Sequence, residues 1–398
     1  MKKKIYYYLL LITSLSACIS EKKINDNTQQ IDVQELKKVQ FIACNDTTYI
    51  SQCKLVKLEF SENSIIGEIS QIEIYNGYIY ILDKKTESLK VFNIEGKYIQ
   101  NIGKKGQGPG EYLALNTFYI NKKDGIINIF DPLKLSVNKY TLNGEFKESV
   151  KINKPYIAHI ARAVQLDNKT IFCFTNPNWH LEAGYFVLNE NDYSMRKQIY
   201  QFPVQIKKEM SYNLLSHPFS YYDKKINYVS LFSNIIYSYK DKESIPLYYI
   251  DNDKEECSKE YLEKIAGNDV NYMIILQKLI ASDTYTPGLK NIYETDRYIC
   301  IDFFSKNFLS EAILWDKKNN SGCYIKDYYD YLPNFGSIVN DFDNTLVRIW
   351  STNSILAFKK NLEDQNISIN SYPQSIINEI NQYSEEDNPI LLLYTMKE

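Results

Sequence analysis

The chain has 398 residues and a formal net charge of −3. It is long enough for a sizeable core, and it has no global basic field to draw in nucleic acid. Hydrophobic residues make up 44% and charged residues 24%, near the globular average, which excludes wholesale disorder. The 35 tyrosines against 14 glycines and 11 prolines favour strands over helices, because aromatic side chains suit a pleated, half-buried surface.

Lys2, Lys3 and Lys4 precede an apolar stretch at residues 5–15. That stretch is too short to span a bilayer as a mature helix, which takes about 20 residues. It ends in Leu15-Ser16-Ala17-Cys18, and small residues before a cysteine in this setting resemble the bacterial lipobox. The resemblance implies a signal peptide over residues 1–17, cleavage before Cys18, and a membrane partner reached through a lipid anchor on Cys18. Ile19, not Asp, follows the cysteine. By the rule familiar from lipoproteins, this implies an outer-membrane lipoprotein of the cell envelope, periplasmic or surface-facing. Residues 18–40 are polar and patternless and are expected to form a flexible tether.

Six further cysteines follow: Cys44, Cys53, Cys173, Cys257, Cys300 and Cys323. An extracytoplasmic compartment permits disulfides, and six cysteines allow 15 pairings. Cys44 and Cys53 are near enough in sequence to close a small loop, while most of the six are expected as buried apolar residues.

A repeat organises residues 41–398. The run Ile72-Glu73-Ile74-Tyr75-Asn76-Gly77-Tyr78-Ile79-Tyr80-Ile81-Leu82-Asp83 is apolar around an Asn-Gly pair, the strongest short hairpin signal. Two more strands follow, turning near Glu95-Gly96. Gly77, Asp83, Phe92 and Gly96 match Gly125, Asp131, Tyr140 and Gly144, each pair 48 residues apart. Four-stranded units of this length are the signature of a β-propeller.

Looser copies predict a third blade near 170–174 and 183–189, and a fourth near 225–231 and 234–240. A fifth is predicted near 297–303, 311–316 and 321–326, and a sixth near 345–350 and 354–359. Residues 389–395 are expected to close the ring with 54–60. Helical spacing predicts an insertion at 255–281, with helices at 261–266 and 270–281, and a short helix at 373–383 with Pro in its first turn. The expected fold is therefore all-β, a six-bladed propeller of four-stranded antiparallel blades with a small helical insertion. Six blades of about 50 residues fit the observed spacing better than seven of about 43.

The segment Gly103-Lys104-Lys105-Gly106-Gln107-Gly108-Pro109-Gly110-Glu111-Tyr112 follows the first repeat. With the preceding turn it resembles the six-bladed β-propeller lipoproteins of the Bacteroidetes, which are similar to NHL-repeat propellers. That family implies an anchored propeller and transfers no catalytic residues. The glycines do not form a P-loop, which needs Gly-Lys-Ser/Thr, nor a dinucleotide fingerprint, where Glu111 replaces the third Gly. A tight crossover between blades is expected instead. Asp83 and Asp131 recur at strand ends and read as turn hydrogen-bonders. The acidic run Asp251 to Glu256 lacks the glycine of a calcium loop and reads as a solvated turn.

Nucleophile-elbow and zinc-protease motifs are absent. The histidines are His159, His180 and His217. His159 and His217 precede the expected innermost strands of blades three and four, so both can face a central channel. Arg162 would hold an anionic group and Tyr221 would stack on a ring. Glu73, Asn116, Asn291 and Asp341, on the other innermost strands, would complete a polar funnel. Two functions compete. The favoured one is a binding module without a cofactor, for a small-molecule, glycan or protein ligand and not nucleic acid. The alternative is a lactonase- or esterase-like hydrolase holding calcium on Glu73, Asn116, Asn291 and Asp341.

Overall fold

The computed structural model describes residues 27–398 except 153, 179–182, 205–212, 268–270, 305–310, 327–330, 365, 367 and 369–371. The segment expected as a signal peptide, Cys18 and His180 lie outside the described residues.

Six antiparallel sheets form the blades. The chain opens with β1 (Gln29–Asp32), β2 (Lys37–Val39) and β3 (Ile50–Lys57). Blade one is β4 (Ile69–Tyr75), β5 (Tyr78–Asp83), β6 (Ser88–Asn93) and β7 (Tyr98–Ile102). The short parallel pair β8 (Lys104–Lys105) and β9 (Glu111–Tyr112) crosses to blade two. Blade two is β10 (Thr117–Asn121), β11 (Ile126–Asp131), β12 (Ser136–Thr141) and β13 (Phe146–Lys151). A 3-10 turn (Pro155–His159) leads into blade three: β14 (Ile160–Asp167), β15 (Thr170–Thr175), β16 (Gly184–Asn189) and β17 (Met195–Gln201).

Blade four is β18 (Phe219–Tyr222), β19 (Lys225–Tyr228), β20 (Ile235–Lys240) and β21 (Glu243–Asp251). The inserted helices α1 (Lys259–Ala266) and α2 (Tyr272–Ala281) separate it from blade five: β22 (Leu289–Glu294), β23 (Tyr298–Phe303), β24 (Glu311–Asp316) and β25 (Ser321–Ile325). Blade six takes β26 (Ile338–Phe342) and β27 (Thr345–Trp350). After helices α3 (Thr352–Glu363) and α4 (Gln374–Gln382) it adds β28 (Ile390–Met396). Its fourth strand is β3, antiparallel to β28.

Six apolar clusters fill the six gaps between neighbouring blades. Each blade is thus covered on both faces, which is why β5 and β11 read as nearly unbroken apolar runs. The Asn76-Gly77 turn has φ of 51° and 76°, the left-handed pair that a two-residue hairpin requires. Gly96, also at positive φ, lies where a Cβ would meet the Lys57 carbonyl of β3 at 2.1 Å, so it seats blade one against the ring-closing strand.

The strand-end aspartates act as turn staples. Asp83 accepts the Gly67 and Glu68 N–H groups at 2.9 and 2.8 Å and the Thr86 hydroxyl at 2.7 Å. Asp131 does the same for Leu113, Leu133 and Lys134, and Asp316 for Lys318 and Asn319. In the glycine loop, the Glu111 carboxylate folds inward to accept the Gly108 N–H at 2.8 Å and faces Lys104 at 3.1 Å. That loop is a crossover between blades.

Three expectations need correction. Residues 354–359 are not a strand but lie inside α3, because Ser351 caps a helix there and Ile355 and Phe358 turn inward one helical turn apart. The expected tether is ordered in part. β1 adds a fifth, parallel strand to blade four and β2 one to blade five. The acidic turn helps hold this arm, since Asp251 and Asp253 accept the Gln30 and Gln34 amides at 2.8 and 2.9 Å. Finally, the closing strand is Ile50–Lys57, displaced toward the amino terminus from 54–60. All six cysteines beyond Cys18 are free thiols, and four of them are buried.

Candidate functional site

The first strands of the blades approach one another around the axis. Four of them carry a register shift near the start, between Ile69 and Gln71, Ile160 and Arg162, Leu289 and Asn291, and Ile338 and Asn340. A bulge bends its strand and re-aims the next side chain. In all four blades that side chain is polar.

Arg162 divides the channel. Its guanidinium is 3.9 Å from the Glu73 carboxylate and 5.4 Å from the centre of the Phe219 ring, and its side chain is 11% exposed. It lines a cavity on either side.

The first cavity, about 300 Å³, opens where the inner strands begin. Among the described residues, Lys84, His159 and Arg162 line it together with Gln71, Asn116, Asn176, Asn178 and Asn213, and no carboxylate does. The amides are braced. Asn176 accepts the Leu214 and Leu215 N–H groups at 3.0 Å and donates to Asn213 at 3.1 Å. Asn116 donates to the Ile160 carbonyl at 2.5 Å. Gln71 donates to the Phe118 carbonyl at 2.8 Å and accepts the Thr117 hydroxyl at 2.8 Å.

The second cavity, about 470 Å³, opens at the hairpin end of the inner strands. Glu73, Lys122, Arg162, Tyr221, Tyr222 and Asp341 are among its lining residues.

Between these cavities lies a buried layer. His217 is 1% exposed, stacks on Tyr293 at 4.3 Å and donates from Nδ1 to the Ile292 carbonyl at 2.7 Å. Burial, and then the Arg162 charge, hold this imidazole well below its usual range, so it is neutral. Its Nε2 faces Asp341 Oδ1 at 3.5 Å. Burial pushes Asp341 up to about 6, against the opposing pull of the Ser220 hydroxyl, the Glu294 N–H and Arg162. Asn291 accepts the His217 N–H at 2.9 Å and donates to Asp302 at 3.0 Å. Burial raises Asp302 to about 6 as well.

The residues expected as one funnel are therefore divided. Arg162, His159 and Asn116 share the first cavity. Arg162, Glu73, Tyr221 and Asp341 share the second. His217 and Asn291 are buried in the wall. Glu73, Asn116, Asn291 and Asp341 thus do not converge as one ligand set. Among the described residues no group of three or more His, Cys, Asp or Glu side chains is placed to hold a metal ion. The sequence reading missed Gln71, Lys84 and Asn340. A polar residue two positions after an apolar strand start was the available signal for Gln71 and Asn340.

Comparison with known proteins gives a family without an assigned role. Residues 28–395 match the family described as a domain of unknown function, DUF4934, and the chain belongs to it. No curated protein matches the chain. A solved Bacteroides fragilis NCTC 9343 protein, named for inferred export, shares the fold. Its TM-score is 0.72 at 19% identity, over 93% of this chain and 100% of that one. A DUF4221 member from Bacteroides vulgatus ATCC 8482 has a TM-score of 0.51 at 12% identity, over 87% and 97%. Among the described residues no helix is long and apolar enough to cross a membrane.

Proposed function

We propose that this propeller is an extracytoplasmic binding module of the NHL-like lipoprotein kind, held at an outer membrane through Cys18, that takes a small anionic ligand in the first channel cavity. The observation that carries the reading is the lining itself: Lys84, His159 and Arg162 converge among amides braced by their own hydrogen bonds, while Glu73 faces Arg162 from the second cavity. A guanidinium fork suits a carboxylate or phosphate, and fixed amides orient the remainder of a polar ligand. The export implied by the name of the Bacteroides fragilis neighbour agrees with the lipobox.

A panel of small carboxylates and phosphates, titrated by calorimetry, tests the site. Arg162→Ala weakens the best ligand by about 1.5–3 kcal/mol, the scale of a charged hydrogen bond. Lys84 is exposed, so Lys84→Ala weakens the ligand less and leaves the unfolding midpoint in place. Unchanged affinity in both variants overturns the reading. Fractionation tests the anchor: Cys18→Ala releases the protein from membranes, and retention of that variant removes the lipid from the proposal.

A further inference from the structure

We propose that Cys44 and Cys53 are a modification site: a disulfide donor of the extracytoplasmic space joins them, fastening the amino-terminal arm to the strand that closes the ring. The supply of that donor rests on the extracytoplasmic reading above; the pair itself rests on the fold. The two thiols face each other and share a hydrogen bond. Backbone bonds already close the loop between them. The Asp46 N–H reaches the Ala43 carbonyl at 2.9 Å, the Ile50 N–H reaches the Asp46 carbonyl at 3.1 Å, and Asp46 Oδ1 accepts the Thr48 N–H at 2.8 Å. Both ends are also held from outside. Ala43 bridges to Asn334, and the Ile42 carbonyl accepts the Phe335 N–H at 2.7 Å. Cys53 stands opposite Tyr394 in the β3–β28 pairing, and Tyr394 donates to the Asn334 carbonyl. The two cysteines are thus tethered to one buried point. Cys44 is 2% exposed, and Cys53 is half-buried against the same apolar cluster. A disulfide needs side chains that point toward each other on a backbone already in place, and this loop meets both conditions.

The remaining cysteines are spaced apart. Cys300 and Cys323 both stand opposite Leu314, from the strands on its two sides. Strands two apart are about 9–10 Å from each other, beyond the reach of a disulfide. Cys173 and Cys257 lie in two other clusters. The chemistry at the pair is exchange. As the chain folds, one cysteine thiolate attacks a sulfur of the donor's disulfide; that bond breaks and a mixed disulfide forms. The second thiolate then attacks the captured cysteine sulfur, which forms the Cys44–Cys53 bond and releases the donor as a dithiol. The pair is oxidised by two electrons and loses two protons, and the donor takes up both.

The test unfolds the reduced full chain and refolds it with glutathione disulfide as the donor, then alkylates it with iodoacetamide in denaturant and digests it with trypsin. Residues 39–54 form one tryptic peptide that holds both cysteines. That peptide is expected unalkylated and two hydrogens lighter than its reduced form, with Cys173, Cys257, Cys300 and Cys323 alkylated. Reductant should lower the unfolding midpoint of the oxidised chain by about 3–4 °C. Cys44→Ser and Cys53→Ser should each abolish that response, and the peptide masses of the unsubstituted chain decide the matter even where a variant fails to fold. An alkylated 39–54 peptide, glutathione retained on it, or a bond from Cys44 or Cys53 to any other cysteine would overturn the pair. The same peptide from protein isolated from cells tests the compartment separately: a bond that forms with glutathione disulfide and is missing there overturns the extracytoplasmic reading while the pair stands.

Discussion

Blade one is a single contiguous stretch, residues 69–102, whereas blade six is assembled from β26 and β27, from β28 beyond two helices, and from β3 at the other end of the chain. Their polar fittings differ accordingly. In blade one a carboxylate holds its own neighbourhood: Asp83 binds amides on both sides of its hairpin. In blade six the work falls to a buried guanidinium. Arg348 is 1% exposed and donates from Nη1 to the Leu332 carbonyl at 2.5 Å and to the Asn334 carbonyl and side-chain oxygen at 3.0 and 2.7 Å. Tyr394 on β28 donates to the same Asn334 carbonyl. A contiguous blade is secured by local turns; a composite one needs a long side chain that ties loop to strand.

The largest effect is expected in blade six. Arg348→Ala strips several charge-assisted hydrogen bonds and opens a void, costing about 3–5 kcal/mol in denaturant unfolding. A loss under about 1 kcal/mol would remove the contrast with blade one.

The two aspartates sharpen the comparison through pH. Asp341 is raised to about 6 by burial. The native state therefore binds its proton more tightly than the unfolded chain does. Its stability contribution is complete below the unfolded value near 4 and is lost as pH rises through about 6, a swing of about 3 kcal/mol. Asp341→Asn removes its share of the slope and leaves that of Asp302, which burial raises to about 6 as well. A carboxyl carbon of Asp341 titrating near 6 by NMR, with His217 still neutral, confirms it; a midpoint near 4 refutes it.

Asp83 has the opposite sign. Burial raises its pKa, but the Thr86 hydroxyl and the Gly67, Glu68 and Thr86 amides outweigh burial and lower it. Its contribution is therefore present above the unfolded value and lost as pH falls through the folded one. Asp83→Ala is expected to cost about 1.5–3 kcal/mol at neutral pH and less in acid. A cost that grows on acidification would contradict the staple.

What the sequence disclosed follows the same division. Blades one and two were legible because turn residues, strand lengths and staples all lie within one 48-residue unit. Residues 354–359 read as a strand because the contiguous apolar run Ile355-Leu356-Ala357-Phe358 fits a buried strand as well as a helix. β1 and β2 read QQID and KKV, each with one apolar residue, Ile31 and Val39, and a single apolar residue sets no period. Within the site, the polar character of inner-strand residues could be read, but which cavity each one faces could not. Bulges at the starts of β4, β14, β22 and β26 set that, and a one-residue slip reverses a side chain's direction.

The amino-terminal arm has a mechanical meaning. From residue 29 to residue 57 it runs across the outer edges of blades four, five and six in turn and ends as the strand that closes the ring. If Cys18 carries the proposed lipid, a pull between membrane and propeller enters the described structure through this arm. By chain order, the four-residue β1 and then the three-residue β2 would bear such a load before β3 does. Such short edge pairings are expected to peel first, while the eight-residue β3 stays clasped on β28.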